Sequence, residues 1–116
     1  MLFTLKFTDN LPEGTGGRAL LWMIKIRPKY KDDQGILEHE KNHVRWFWRT
    51  LGISGLFYLL SKHSRLWQEV ECYRIQLQYP PARENIDFYR KKYAHYIAND
   101  YGLNKTDTEV LKLLGG

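Results

Sequence analysis

Two histidines and a glutamate near the middle of the chain have the types and spacing of a hydrolytic metal site. The string His39-Glu40-x-x-His43 lies in a stretch of helical periodicity. Histidines four residues apart share one face of a helix, so both imidazoles can bind one tetrahedral metal ion. Glu40 then stands beside the open fourth position, where it can take a proton from a water molecule. The string predicts a Zn²⁺ site with Glu40 as the general base.

A third ligand is expected from the next strongly periodic segment, Arg65–Tyr79. In this segment Glu69 borders the apolar face of the predicted helix. A carboxylate in that position is costly unless a cation pairs with it. Glu71 instead faces outward beside Arg74, at i,i+3 spacing, and is the second choice. Glu69 is therefore the predicted third ligand, 26 positions after His43.

The elements that position these residues begin with two predicted strands. Leu2–Thr8 and Leu20–Arg27 both alternate between apolar and polar faces, and Asn10–Gly17 between them is a loop rich in proline and glycine. Four or five helices follow, predicted from about Ile36 to Gly52, at Leu56–Leu60, at Arg65–Tyr79, at Ala82–Asn99, and from a cap at Thr106 or Asp107 through Leu114. The predicted fold is α+β, with a small strand pair packed on these helices.

Length and composition limit the other possibilities. A chain of 116 residues is expected to form one domain, residues 1–116. The single Cys72 excludes an internal disulfide, and no apolar run approaches the roughly 18 residues that span a bilayer. Met1–Thr8 lacks the apolar core of a signal peptide. We therefore expect a cytoplasmic protein with no membrane partner.

The net charge of +5 raises the question of an anionic partner such as nucleic acid. The cations are dispersed along the chain, and no signature of RNA or DNA binding accompanies them. A basic helical nucleic-acid binder is therefore a third choice, favoured only if the purified protein holds no metal.

The metal-binding string and the helix after it resemble the gluzincin zinc metallopeptidases, in particular small members encoded by bacteriophages and the repressor-cleaving peptidases of mobile elements. The resemblance covers about Ile36–Tyr79 and rests on His39-Glu40-x-x-His43 followed by Glu69-Val70-Glu71-Cys72-Tyr73. Cys72 stands at the small-residue position of the family's glutamate motif, which also selects Glu69 as the ligand. Tyr73 stands where the family usually has Asp or Asn. The resemblance implies a minimal zincin-like fold, Zn²⁺ as cofactor and hydrolysis of peptide bonds.

The expected function is thus a zinc metallopeptidase acting on a peptide or protein substrate. An edge strand within Leu20–Ile26 is expected to bind the substrate backbone by strand addition. Cys72 is interpreted as a small buried residue on a different side of its helix from Glu69. The group that stabilises the oxyanion stays open among Tyr73, Arg74, Tyr93, His95 and Tyr96. The alternative is a non-catalytic, zinc-stabilised interaction or virion-associated module with the same fold.

Overall fold

Within the described part of the chain the fold is α+β, as predicted, with a short sheet followed by five α-helices. The computed structural model describes residues 2–115. Its helices are α1 (Gln34–Arg49), α2 (Ile53–Leu60), α3 (Lys62–Gln76), α4 (Ile86–Asp100) and α5 (Asp107–Leu113). Short 3₁₀ turns at Pro28–Tyr30 and Ala82–Asn85 precede α1 and α4.

The sheet has three strands where the sequence predicts two. They are β1 (Thr4–Phe7), β2 (Gly17–Leu20) and β3 (Met23–Ile26), in the order β1-β3-β2. β3 pairs with β1 in parallel and with β2 in antiparallel orientation. The predicted strand Leu20–Arg27 is split by a turn at Leu21 and Trp22, with a φ of 57° at Leu21.

This split corrects the predicted substrate strand. Met23–Ile26 is the central strand, with both of its edges already paired, so it cannot accept a further strand. The sequence predicts one continuous strand here because two apolar residues form the turn, whereas two-residue hairpin loops usually have Asn or Gly.

Local capping explains where the helices that carry the candidate ligands begin. The Asp33 side chain accepts a hydrogen bond from the backbone N–H of Ile36 at 3.0 Å and begins α1. Ser61 caps α3 by accepting from the Ser64 N–H. Gly52, the predicted stop, adopts a left-handed φ of 89° between α1 and α2.

Two apolar clusters lie on either side of α1 and α3. One joins α3, α4 and α5 and includes Val70, Ile97 and Val110. The other joins the sheet to α1 through Ile24, Ile26 and Val44. Helices α1 and α3 pack directly against each other between these clusters, and their shared surface holds the candidate site. Within residues 2–115, no helix combines the length and the apolar character needed to cross a membrane.

Candidate metal centre

The structure brings the predicted ligands together where α1 faces α3. His43 Nε2 lies 2.6 Å from Glu69 Oε1, and His39 Nε2 lies 3.7 Å from the same oxygen. The two imidazole rings are 5.4 Å apart between centroids. Two ring nitrogens and a carboxylate oxygen thus converge on one point, as a tetrahedral zinc site requires.

His39 is held in a fixed orientation from the opposite side of its ring. Its Nδ1 lies 2.9 Å from Oε1 of Gln76, on the last turn of α3. Because an amide oxygen can only accept, Nδ1 carries the proton and Nε2 presents its lone pair to the cluster. Such a partner fixes the tautomer that a metal-binding histidine needs.

Glu40 is buried beside His39, with its Oε1 3.6 Å from His39 Nε2. Its other oxygen, Oε2, has no hydrogen-bond partner among the described residues, and neither has Oε2 of Glu69. Burial raises the pKa of Glu40, an effect that the nearby His39 and His43 partly offset. Two buried carboxylate oxygens without partners are costly, so this pocket fits a cation better than it fits an apolar core.

Without a metal ion, His43 and Glu69 each favour the charged form of the other. Burial alone works against both charged forms. The neighbouring Cys72 and Glu69 nevertheless raise the pKa of His43 well above its usual value. In turn His43 and His39 lower the pKa of Glu69 far below the ordinary range. Glu69 is therefore an anion ready to bind a cation.

Cys72 belongs to the same cluster, and its interpretation as a residue on a different side of α3 is wrong. Its Sγ and the ligand atoms of His39, His43 and Glu69 all lie within 4.8 Å of one another. The spacing of three residues from Glu69 to Cys72 could have indicated this, because residues i and i+3 are neighbours on a helix surface. Asn42 donates a hydrogen bond to the sulfur at 3.4 Å, and burial raises the pKa of the thiol.

Glu71, the second choice of ligand, lies outside the cluster. It accepts a hydrogen bond of 2.7 Å from the indole N–H of Trp46, further along the groove between α1 and α3. The remaining histidines are also elsewhere: His63 accepts from the Trp67 indole, and His95 pairs with Asp107.

One of the five candidate oxyanion residues touches the centre. Tyr73 packs edge-on against His39, with 4.4 Å between ring centroids, but its hydroxyl is engaged with the hydroxyl of Tyr101 at 3.0 Å. Tyr58, which sequence reasoning missed, lies edge-on to His43 at 5.7 Å. Burial and the nearby Glu69 raise the pKa of Tyr58, so its phenol keeps the proton and can donate it in a hydrogen bond.

The free edge of the sheet nearest α1 belongs to β2. Arg27 N–H donates to the Gly16 carbonyl, so the antiparallel alternation directs the backbone groups of Gly17 and Ala19 away from β3. β2 also packs against α1, the helix that carries the histidines. The outer edge of β2, one of the two edge strands, thus presents unpaired backbone groups on the side of the sheet closest to the histidines.

The donors assembled here, two imidazoles, a carboxylate and a thiol, are those that Zn²⁺ prefers, and the unpartnered carboxylate oxygens fit the same ion. Comparison of the chain with protein-family models, with curated proteins and with solved structures found no match. The resemblance to gluzincins therefore stays a prediction, carried by the residues of α1 and α3 alone.

Proposed function

We propose that this protein is a zinc-dependent metallopeptidase in which His39, His43 and Glu69 hold the metal and Glu40 is the general base. The support is the arrangement of these four side chains, all at the surface shared by α1 and α3. A bound Zn²⁺ would supply Lewis acidity to a peptide carbonyl and to the attacking water.

The protein's own residues perform the proton transfers. Glu40 takes a proton from the attacking water and passes it to the nitrogen of the leaving amine, so the carboxylate is regenerated in each cycle. Its burial raises its pKa, which suits a group that must both accept and release a proton. Gln76 keeps His39 in its metal-binding tautomer throughout.

Two further features would position the substrate. An extended peptide would pair with the backbone of Gly17 and Ala19 at the outer edge of β2, in place of the central strand first expected. The phenol of Tyr58, beside His43, would donate to the oxygen of the tetrahedral intermediate.

The single observation that carries the proposal is Glu40 Oε2, which is buried and has no partner among residues 2–115. A purely structural metal site has no use for a second buried carboxylate beside its ligands, and leaving such a group unpaired destabilises the fold. If Glu40 acts as a base on the substrate, its function explains why the protein keeps a buried carboxylate that destabilises the fold.

The test is Glu40→Gln, which keeps the size of the side chain and removes the base. Zinc content and melting temperature should stay near wild type, while hydrolysis of a broad peptide library should fall by about 10²–10⁴-fold. The matched control is Glu38→Gln on the same helix, because Glu38 pairs with Lys41 outside the centre. Zinc-loaded wild type that cleaves nothing in the library, or cleavage that survives Glu40→Gln, contradicts the proposal.

A second candidate is favoured by the position of Cys72. If its thiolate completes a set of four protein ligands, the site is closed and has the form of a structural zinc centre. The protein would then be a non-catalytic, zinc-stabilised interaction module. Cobalt substitution separates the two: a strong near-ultraviolet band from sulfur to cobalt, lost in Cys72→Ala, supports the module, and its absence supports the open, hydrolytic site.

A further inference from the structure

An exposed apolar cap occupies the end of the sheet that lies next to the C-terminal end of α1. We call it the apolar tip and define it as Leu20, Leu21, Trp22, Met23, Trp48 and Leu51, all of which are exposed. Trp22 joins its two halves, with ring centroids 6.0 Å from Phe47 and 6.4 Å from Trp48. The tip is thus one continuous surface built from the β2–β3 turn and the end of α1.

Two leucines of the tip are exposed by a backbone conformation that is unfavourable for leucine. Leu21 has a φ of 57° and Leu51 a φ of 53°, left-handed values that favour Gly or Asn. Leu51 is 86% exposed, and Leu21 is 48% exposed. A strained backbone that presents aliphatic side chains to solvent stabilises nothing within the chain, and such strain is characteristic of functional surfaces.

Unpaired positive charge lies directly beside this tip. The register of the sheet places Lys6, Lys25 and Arg18 side by side across the three strands. Since Ile24 and Ile26 face α1, Lys25 and its register partners Lys6 and Arg18 start from the opposite face of the sheet, and the charge of Arg18 also reaches Glu40. None of them has an ion-pair partner among residues 2–115, although like charges directly opposite each other destabilise a sheet.

The two chain segments that form the tip contain no acidic residue. Residues 14–31, which form β2, the turn and β3, contain no Asp or Glu, and residues 41–68 contain none either. A second copy docked through the same tip would bring only further cations to the contact. Nucleic acid fits the charge, but bases stack on aromatic faces and gain little from Leu20, Leu21 and Leu51. The partner that best matches the tip and its cations is therefore a surface that is both apolar and anionic.

We propose that the apolar tip docks this protein onto an anionic lipid bilayer. Leu21, Trp22 and Leu51 enter the boundary between headgroups and acyl chains, and the row of Lys6, Lys25 and Arg18 binds the anionic headgroups. This mode lies on the membrane surface and needs no spanning helix. It uses none of the metal-binding residues, although the charge of Arg18 also reaches Glu40 and lowers the pKa of that carboxyl.

The test is cosedimentation of the full chain with vesicles of phosphatidylcholine, with and without phosphatidylglycerol. Wild type should bind the anionic vesicles and dissociate as salt is raised. The double variant Leu21→Asn/Leu51→Asn should lose at least about tenfold in binding. Asn tolerates the left-handed conformation, so this variant is expected to fold at least as well as wild type.

The matched control is Phe88→Gln, which removes an exposed aromatic residue from α4, away from the tip. It should bind vesicles as wild type does. Equal binding by Leu21→Asn/Leu51→Asn overturns the proposal. So does a dimer in sedimentation velocity that this double variant dissociates, or a single-stranded oligonucleotide that binds the chain more tightly than the vesicles do.

Discussion

The helical half of the molecule and its sheet half are stabilised in different ways. In the helical half, one cluster of twelve buried residues joins α3, α4, α5 and the segments that flank them, and Ile97 and Val110 are completely buried in it. In the sheet half, the corresponding cluster has three buried residues, Ile24, Ile26 and Val44. Burial of apolar area is the dominant favourable contribution to folding, so the helical half has much the larger share of it.

The surface between the halves is unusually polar. Across it His39 pairs with Gln76, His43 with Glu69, Asn42 with Cys72 and Trp46 with Glu71. A metal ion bound by α1 and α3 would therefore join the weakly packed half to the strongly packed one. The same ion would then supply the chemistry and also attach the sheet to the helices.

The largest effect is expected from the apolar core of the helical half. Ile97→Ala should lower the free energy of unfolding by about 2–5 kcal/mol, because it leaves a cavity at a fully buried position. Zinc affinity should hardly change. Ile24→Ala, in the sheet half, should weaken zinc binding as well. Urea unfolding and zinc titration of both variants check this, and equal zinc affinities of the two variants would contradict the expected difference between the halves.

Removal of the metal should destabilise the sheet half and leave the helical half largely unchanged. We expect chelation to cost at least about 2–3 kcal/mol, the linkage expected of a ligand well above its dissociation constant. Hydrogen–deuterium exchange should speed up in α1 and the sheet while α4 and α5 keep their protection. His43→Ala should give the same pattern without chelator. A uniform loss of protection would show that the halves are not distinct.

The two neighbouring glutamates of α3, Glu69 and Glu71, should differ in their effect on zinc binding. Glu69→Gln should strongly weaken zinc retention, because it removes a buried anion from the cluster. Glu71→Gln should change it little, since Glu71 accepts from Trp46 instead. Metal content after dialysis checks both variants, and reversed effects would make Glu71 the ligand.

A smaller effect is expected from the residue that orients His39. Gln76→Met keeps the volume of the side chain but removes the acceptor for the Nδ1 proton. Zinc affinity should fall about 10–100-fold, the usual result of losing such a partner. The control is Gln68→Met on the same helix, because Gln68 donates to the Ser54 carbonyl away from the centre. Competition with a chromogenic chelator measures both, and equal affinities would contradict the role of Gln76.

The smallest effect concerns the exposed pair that joins α5 to α4. His95 hydrogen-bonds to Asp107 and lowers its pKa below the ordinary value of 3.8. A depressed folded pKa means that the stabilisation is present above pH 3.8 and is lost as the pH falls through the lower folded value. The α5 backbone resonances should therefore shift in that acidic range in wild type and not in Asp107→Asn. A shift that persists in the variant would assign the change to another group.

The elements that could be predicted are those whose signals are local. The periodicity from Ile36 and the stop at Gly52 locate α1, and the cap at Thr106 locates α5 through a capping box with Glu109. The spacing of His39, Glu40 and His43 depends only on helix geometry, so the structure brings them together.

The parts that could not be predicted depend on contacts between distant segments or on unusual local chemistry. The turn at Leu21 and Trp22 lacks turn residues, so the alternating pattern continues through it and hides a strand boundary. Tyr58 reaches His43 only because α2 folds back beside α1. Cys72 could have been predicted to lie in the metal cluster, because a residue three positions after Glu69 is its neighbour on the helix surface.

The most direct test of the account is the zinc content of wild type purified without added metal, measured by mass spectrometry. The account predicts about one zinc ion per chain, held by His39, His43 and Glu69 and lost in His43→Ala. Wild type that is free of metal, and whose melting temperature is the same with and without chelator, would contradict it.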